Sequence, residues 1–226
     1  MARLSETDVP RGVWTPPQTA PAIPWQVIEQ SLVLPQSWPD PHKISFRIPE
    51  GPRRAAVAVV LWGDETGAKK ILLVQRGFSA PQHPGEIAFP GGMAEPEDRD
   101  LRWTARRELF EELGIHNHLW EVGCFPDGVA KAHTRFTPVL FRWEAPEPTW
   151  ELGSELFDAL LLPLHPLLDA PWAAEILDRQ GLALKVPRLE LPQAPLWGAT
   201  AFVLKTWLDV LKKLVQGGAW PSSPES

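Results

Sequence analysis

The chain has 226 residues, 44% of them hydrophobic and 22% charged, the proportions of an ordinary globular protein with enough length for one well-buried core. A formal net charge of −6 argues against a general nucleic-acid or anionic-membrane surface. The longest apolar runs, 55–62 and 159–164, fall well short of the roughly 18 residues that a membrane span requires. The single cysteine, Cys124, cannot form an internal disulfide and is expected as a small buried hydrophobe in a reducing compartment, which with the absence of an apolar leader suggests the cytoplasm.

Residues 1–50 are rich in proline and carry one short helical pattern, 24–34, so they are expected to form an extension wrapped on the domain. The run 55–62 (AAVAVVLW) reads as a buried strand, 63–67 as a turn and 71–75 as a returning strand, together a hairpin. An irregular loop is expected over 78–84, then a short strand at 87–89 and a helix beginning near Asp98 or Asp100 and ending at Leu113 before Gly114. Strands are expected at 120–125 and 137–143, while 155–164 is ambiguous between strand and helix. The last element is an amphipathic helix over 199–215, with Phe202, Leu204, Leu208, Leu211 and Leu214 inward. A domain of 51–216 and a flexible tail of 217–226 complete the division. Strands before and after a helix, with another helix at the end, predict an α/β fold in which a mixed sheet lies between helices.

The run RRELFEELGI, 106–115, is the most informative segment. Glu108, Glu111 and Glu112 stand at i, i+3 and i+4, on one helix face, while Leu109 and Leu113 point elsewhere. Such like-charge spacings destabilise a helix by about 0.2–0.5 kcal/mol per pair, which a hard divalent cation on oxygen ligands would offset. An isolated acidic face of this kind is normally just solvated. Here Arg107 is placed to hold Glu111 at i+4, and Pro90-Gly91-Gly92 lets bare backbone approach a metal or a phosphate. The combination points to a metal site for pyrophosphate chemistry.

The segment 91–115 resembles the Nudix box, G-x5-E-x7-R-E-U-x-E-E-x-G-U, with U aliphatic. Residues 107–115 match its second half without a gap. The first half is one residue longer: Gly92 lies one residue early and Asp98 is the acid nearest the first glutamate position, which Arg99 occupies. Leu72-Leu73-Val74-Gln75-Arg76-Gly77, Gly85 and Phe89-Pro90-Gly91-Gly92 are similar to the additional motif of the coenzyme A diphosphatase branch, with Val74, Gly77 and Pro81 in place of its Thr, Ser or Ala, and internal Arg. The resemblance spans about 54–211.

It implies a Nudix-type α/β/α sandwich and a metal-dependent hydrolase that cuts a pyrophosphate bond with Mg²⁺ or Mn²⁺. Glu108, Glu111 and Glu112 are then metal ligands, with the Gly92 carbonyl as a fourth, and Arg107 is the orienting group. The general base is either a box glutamate, Glu111, or a carboxylate from a later loop, for which Glu155 is the candidate. Arg76, Lys131 and Arg135 are candidates for substrate phosphates, and His83 for a loop contact. The substrate is coenzyme A or a related nucleoside diphosphate derivative; nucleoside di- or triphosphates, nucleotide sugars and a non-catalytic nucleotide-binding module are the alternatives. Neither nucleic acid nor membrane is expected as a partner, and the only assembly considered is a homodimer.

Overall fold

The structure, a computed structural model, describes residues 12–17, 21–32, 53–64, 67–80, 83–129, 134–179 and 182–217. Pro81, Lys131 and His133 lie outside the described residues, as do most of 1–50 and the tail beyond 217.

Strand β1 (Arg53–Trp62) runs through the middle of the main sheet. It pairs antiparallel with β2 (Lys70–Arg76), the expected hairpin, with Val60 opposite Leu72. β2 continues outward to β3 (Ile87–Ala88). On the other side β1 lies parallel to β7 (Thr134–Trp143), which pairs antiparallel with β5 (Leu119–Cys124) and the short β6 (Gly128–Val129). The 155–164 ambiguity resolves as a strand: β8 (Leu156–Pro163) pairs antiparallel with β2. The apolar run 159–164 is compatible with either state, and the ladder to β2 decides. A helical turn, α3 (Leu164–Leu167), follows directly.

The two faces of β1 carry two separate cores, as the period-2 alternation of a strand requires. Ala56, Ala58 and Val60 meet Ala105, Leu109 and Leu113 of α2 (Leu101–Leu113). Val59 and Leu61 instead face α1 (Trp25–Leu32) and α4 (Gly198–Gln216). Helices on both faces of a mixed sheet make the expected α/β/α arrangement. Val59, Val60 and Leu61 are 0% exposed, each contributing about 1.5–3 kcal/mol by burial.

The helix expected within 24–34 is α1, and residues 21–32 pack on the domain as part of the main core: Ile23, Trp25, Val27 and Ile28 are buried, and buried Ser31 accepts a 2.8 Å hydrogen bond from Trp207 Nε1 on α4. Two expectations need correction. On α4 the inward residues are Val203, Leu204, Trp207, Leu208, Val210 and Leu211, whereas Phe202 and Leu214 are only half-buried. Trp207 is the anchor, packed edge-to-face on Phe125 with centroids 5.2 Å apart. Cys124 is only partly buried, packed against the edge of the α2-side core, with Arg102 Nε donating to its Sγ at 3.4 Å. Also unanticipated is a second sheet, β9 (Ala173–Arg179), β10 (Leu182–Glu190) and β11 (Pro195–Leu196), which leads into α4.

Candidate active site

Helix α2 carries the acidic run. Asp100 caps it, its Oδ1 accepting from the N–H groups of Arg102 and Trp103 at 2.9 Å, and Gly114 closes it in a left-handed conformation with its N–H on the Phe110 carbonyl. Buried Ala105, Leu109 and Leu113 set the helix rotation against β1. That rotation turns Glu108 and Glu112 toward β4 (Gly91–Met93), a short strand paired with Ala55–Val57 of β1. The FPGG segment delivers its two glycines as a strand beneath the helix. Any Cβ on Gly92 would collide with the Glu108 carboxylate, so the residue must be glycine for this carboxylate to approach the backbone.

Arg107 organises the acids. Its Nε and Nη2 each donate to Asp98 at 3.0 Å in a bidentate pair, and Nη2 also reaches the Met93 carbonyl at 2.9 Å. Its Nη1 donates to Glu108 at 3.1 Å and to Glu111 at 2.9 Å. One guanidinium thus ties the loop, β4 and two glutamates of α2 together. Asp98, whose side chain is only 2% exposed, also accepts from Thr104 Oγ1 at 2.8 Å and from the Glu95 N–H at 3.0 Å. The hydrogen bonds from Arg107 hold its carboxyl down at about 2.

Glu112 accepts from the Gly91 N–H at 3.0 Å. Burial nevertheless pushes its pKa up to about 7, with the negative charges of Glu108 and Glu155 adding to the rise. Burial likewise raises Glu108, against the pull of Arg107. Two desolvated carboxylates whose burial outweighs the pull of Arg107 and Arg76 stand beside bare glycine backbone as a hard-oxygen donor set, and a divalent cation fits it. Glu111 is half-exposed and turned to Arg107. Accordingly, among the described residues no three acidic, histidine or cysteine side chains are already gathered as a metal cluster.

Pairing of β8 with β2 brings in a second charged couple, Arg76 Nη2 to Glu155 Oε2 at 2.9 Å, with Glu155 largely exposed. The loop that carries Glu155 is tied to the helix by the Gly153 N–H on the Glu112 carbonyl at 2.8 Å, which sets this couple beside Glu112, where the two charges act in opposite senses. Arg135 is engaged elsewhere, its Nε on Asp127 Oδ2, while Thr137 donates to the other oxygen of that carboxylate. His83 has a left-handed backbone and its Nδ1 meets Glu86 Oε2 at 2.8 Å, a side-chain contact and not the loop-backbone contact considered for it. The grip of Asp98 on Arg107 and the engagement of Arg135 by Asp127 were not read from sequence. The nine-residue separation of Asp98 and Arg107 gives no periodic signal, since a loop closes it.

Comparison with known proteins gives the family. A NUDIX domain model matches residues 52–180. A peroxisomal coenzyme A diphosphatase, ndx-8, of Caenorhabditis elegans is 40% identical over 124 residues, covering 53% of this chain and 53% of the relative. Nudix hydrolase 15, mitochondrial, of Arabidopsis thaliana is 35% identical over 108 residues, 48% of this chain and 35% of the relative. The protein named Uncharacterized Nudix hydrolase NudL of Yersinia pestis (strain Pestoides F) is 29% identical over 156 residues, 68% of this chain and 77% of the relative. This chain thus spans only about a third to a half of the length of the Arabidopsis and Caenorhabditis relatives. With its family model covering more than half of its length, the chain belongs to the NUDIX domain family.

Proposed function

We propose that this hydrolase cleaves the pyrophosphate bond of coenzyme A or a related nucleoside diphosphate derivative, with Mg²⁺ or Mn²⁺, in the cytoplasm. The observation that carries the reading is the placement of Glu108 and Glu112 against Gly91 and Gly92, with Arg76 and Glu155 alongside. Glu108 and Glu112 would hold the cation, together with Glu111 once released from Arg107 and with the Gly92 carbonyl. Bound there, a divalent ion neutralises phosphate charge and lowers the pKa of a water molecule.

The chain's own groups supply the rest. Arg76 offers a guanidinium to a phosphate oxygen, exchanging its Glu155 partner for the substrate. Glu155, so released, can take the proton of the attacking water; Glu111 is the alternative base. Arg107 stays fixed by Asp98 and positions the glutamates. Lys131 and Arg135 are the residues proposed for a terminal phosphate, for which Arg135 would have to leave Asp127.

The coenzyme A assignment is supported by the name of the Caenorhabditis relative and by the residues 72–77, 85 and 89–92. Pro81 in place of the motif arginine favours the second reading, a nucleoside di- or triphosphate or nucleotide-sugar substrate. Chromatographic identification of products from such a panel, with each metal, decides between them. Glu112→Gln should lower turnover by orders of magnitude on whichever compound is cut. Near-full turnover of that variant at saturating Mg²⁺ would remove the cation site.

A further inference from the structure

We infer that Phe78 and Phe157 form an aromatic corner that stacks the nucleobase of the substrate, a base-tolerant binding element beside the phosphate site. Both side chains are large, apolar and open to solvent, Phe78 at 67% exposure and Phe157 at 58%. They are not scattered surface residues: the rings meet edge to face, with centroids 5.0 Å apart and planes at 71°. Two exposed aromatic rings in mutual contact leave one ring face and one ring edge presented at a right-angled corner.

Local backbone structure builds this corner. Gln75 pairs with Asp158 but Arg76 pairs with Leu156, so Phe157 is the additional residue of a β-bulge in β8. A bulge re-aims the side chain it carries, and bulges concentrate beside active sites. The strands are locked at that point by the Gly77 N–H on the Glu155 carbonyl at 2.8 Å. Phe78 is set by the loop below it: Gly85 has φ +71, and a Cβ there would come within 3.0 Å of the Phe78 ring.

Position selects the occupant. Phe78 lies two residues beyond Arg76, and Phe157 two beyond Glu155, the charged pair that acts on Glu112. A nucleotide whose phosphate replaces Glu155 on Arg76 would extend its base, one sugar beyond the phosphate, toward the aromatic corner. A planar base matches it, because every base has a π-face that stacks on an aromatic ring, and Phe supplies no hydrogen bonds that would select one base. The inference rests on the reading of the carboxylate cluster as a phosphate site.

The test is titration calorimetry of ADP and of inorganic pyrophosphate, in Mg²⁺, against wild type, Phe78→Ala, Phe157→Ala, Phe157→Trp and Arg76→Ala. Base stacking makes the expected loss of ADP affinity about 5- to 150-fold in the alanine variants, with pyrophosphate affinity unchanged. Phe157→Trp should retain ADP binding, and the base protons of ADP should shift upfield with wild type but not with Phe157→Ala. ADP affinity indifferent to both alanine substitutions, equal weakening of ADP and pyrophosphate, or no ADP binding by wild type would each overturn the inference. If Arg76→Ala weakens pyrophosphate while both phenylalanines prove silent, the phosphate site stands and only the stacking corner is lost. Pyrophosphate binding indifferent to Arg76→Ala, with the phenylalanine effects present, would instead sink the phosphate reading.

Discussion

Glu112→Gln tests the electrostatics of the site through stability, independently of turnover. In the cation-free protein, burial and the neighbouring Glu108 and Glu155 raise the Glu112 pKa from its ordinary 4.5 to about 7. For an acid raised in this way the unfolded chain ionises first. Folding stability is therefore undiminished below about pH 4.5, declines as pH rises toward 7, and stays reduced above it. At ~1.4 kcal/mol per unit, the ionised carboxylate costs the folded state about 3 kcal/mol at pH 8. Glutamine is isosteric, keeps an oxygen for the Gly91 N–H and cannot ionise. In EDTA at pH 8 the variant should be more stable by about 3 kcal/mol, or roughly 6–12 °C in Tm for a chain of this size. At pH 4 the two proteins should coincide. Saturating Mg²⁺ or Mn²⁺ should then stabilise the wild type, by about 2.7 kcal/mol at a hundred times Kd, and the variant far less. Urea denaturation followed by circular dichroism, with and without EDTA, measures all four quantities. Equal stabilities in EDTA at pH 8, or a gap that persists undiminished at pH 4, would refute the reasoning.

Asp98→Asn should act in the opposite sense. The depressed carboxyl, from 3.8 to about 2, contributes about 2 kcal/mol that is present above pH 4 and lost as pH falls through 2, so variant and wild type should differ at pH 7 and converge in acid denaturation curves. The same variant should lower turnover by loosening Arg107, as steady-state kinetics would show. Ser31→Ala leaves the buried Trp207 indole N–H without its acceptor and should cost about 1–3 kcal/mol in urea denaturation, which would make residues 21–32 a stabilising part of the domain. Pro81→Arg, which restores the motif residue, should raise kcat/KM for coenzyme A relative to dephospho-coenzyme A, whereas an unchanged ratio would separate this loop from 3′-phosphate recognition.

Local pattern alone determined the box helix, the β1–β2 hairpin and the identity of the acidic ligand candidates. These depend on spacing along a single segment: i, i+3 and i+4 for Glu108, Glu111 and Glu112, Asp100 and Gly114 at the ends, and an uninterrupted apolar run in β1. Which of the acids meet was decided only by tertiary structure. Burial of Leu109 and Leu113 sets the rotation of α2, and pairing of Gly91–Met93 with β1 puts bare backbone under Glu108 and Glu112 while Arg107 draws Glu111 aside. The ambiguity at 155–164 could not be resolved locally, because the apolar run 159–164 has no periodicity to read; pairing with β2 makes the segment a strand and carries Glu155 to Arg76. The bulge at Phe157 has the same origin, since a register shift exists only between two strands. Asp98 could be seen as the nearest acid in a longer loop, but its grip on Arg107 depends on how that loop closes, and closure is a property of the packed chain.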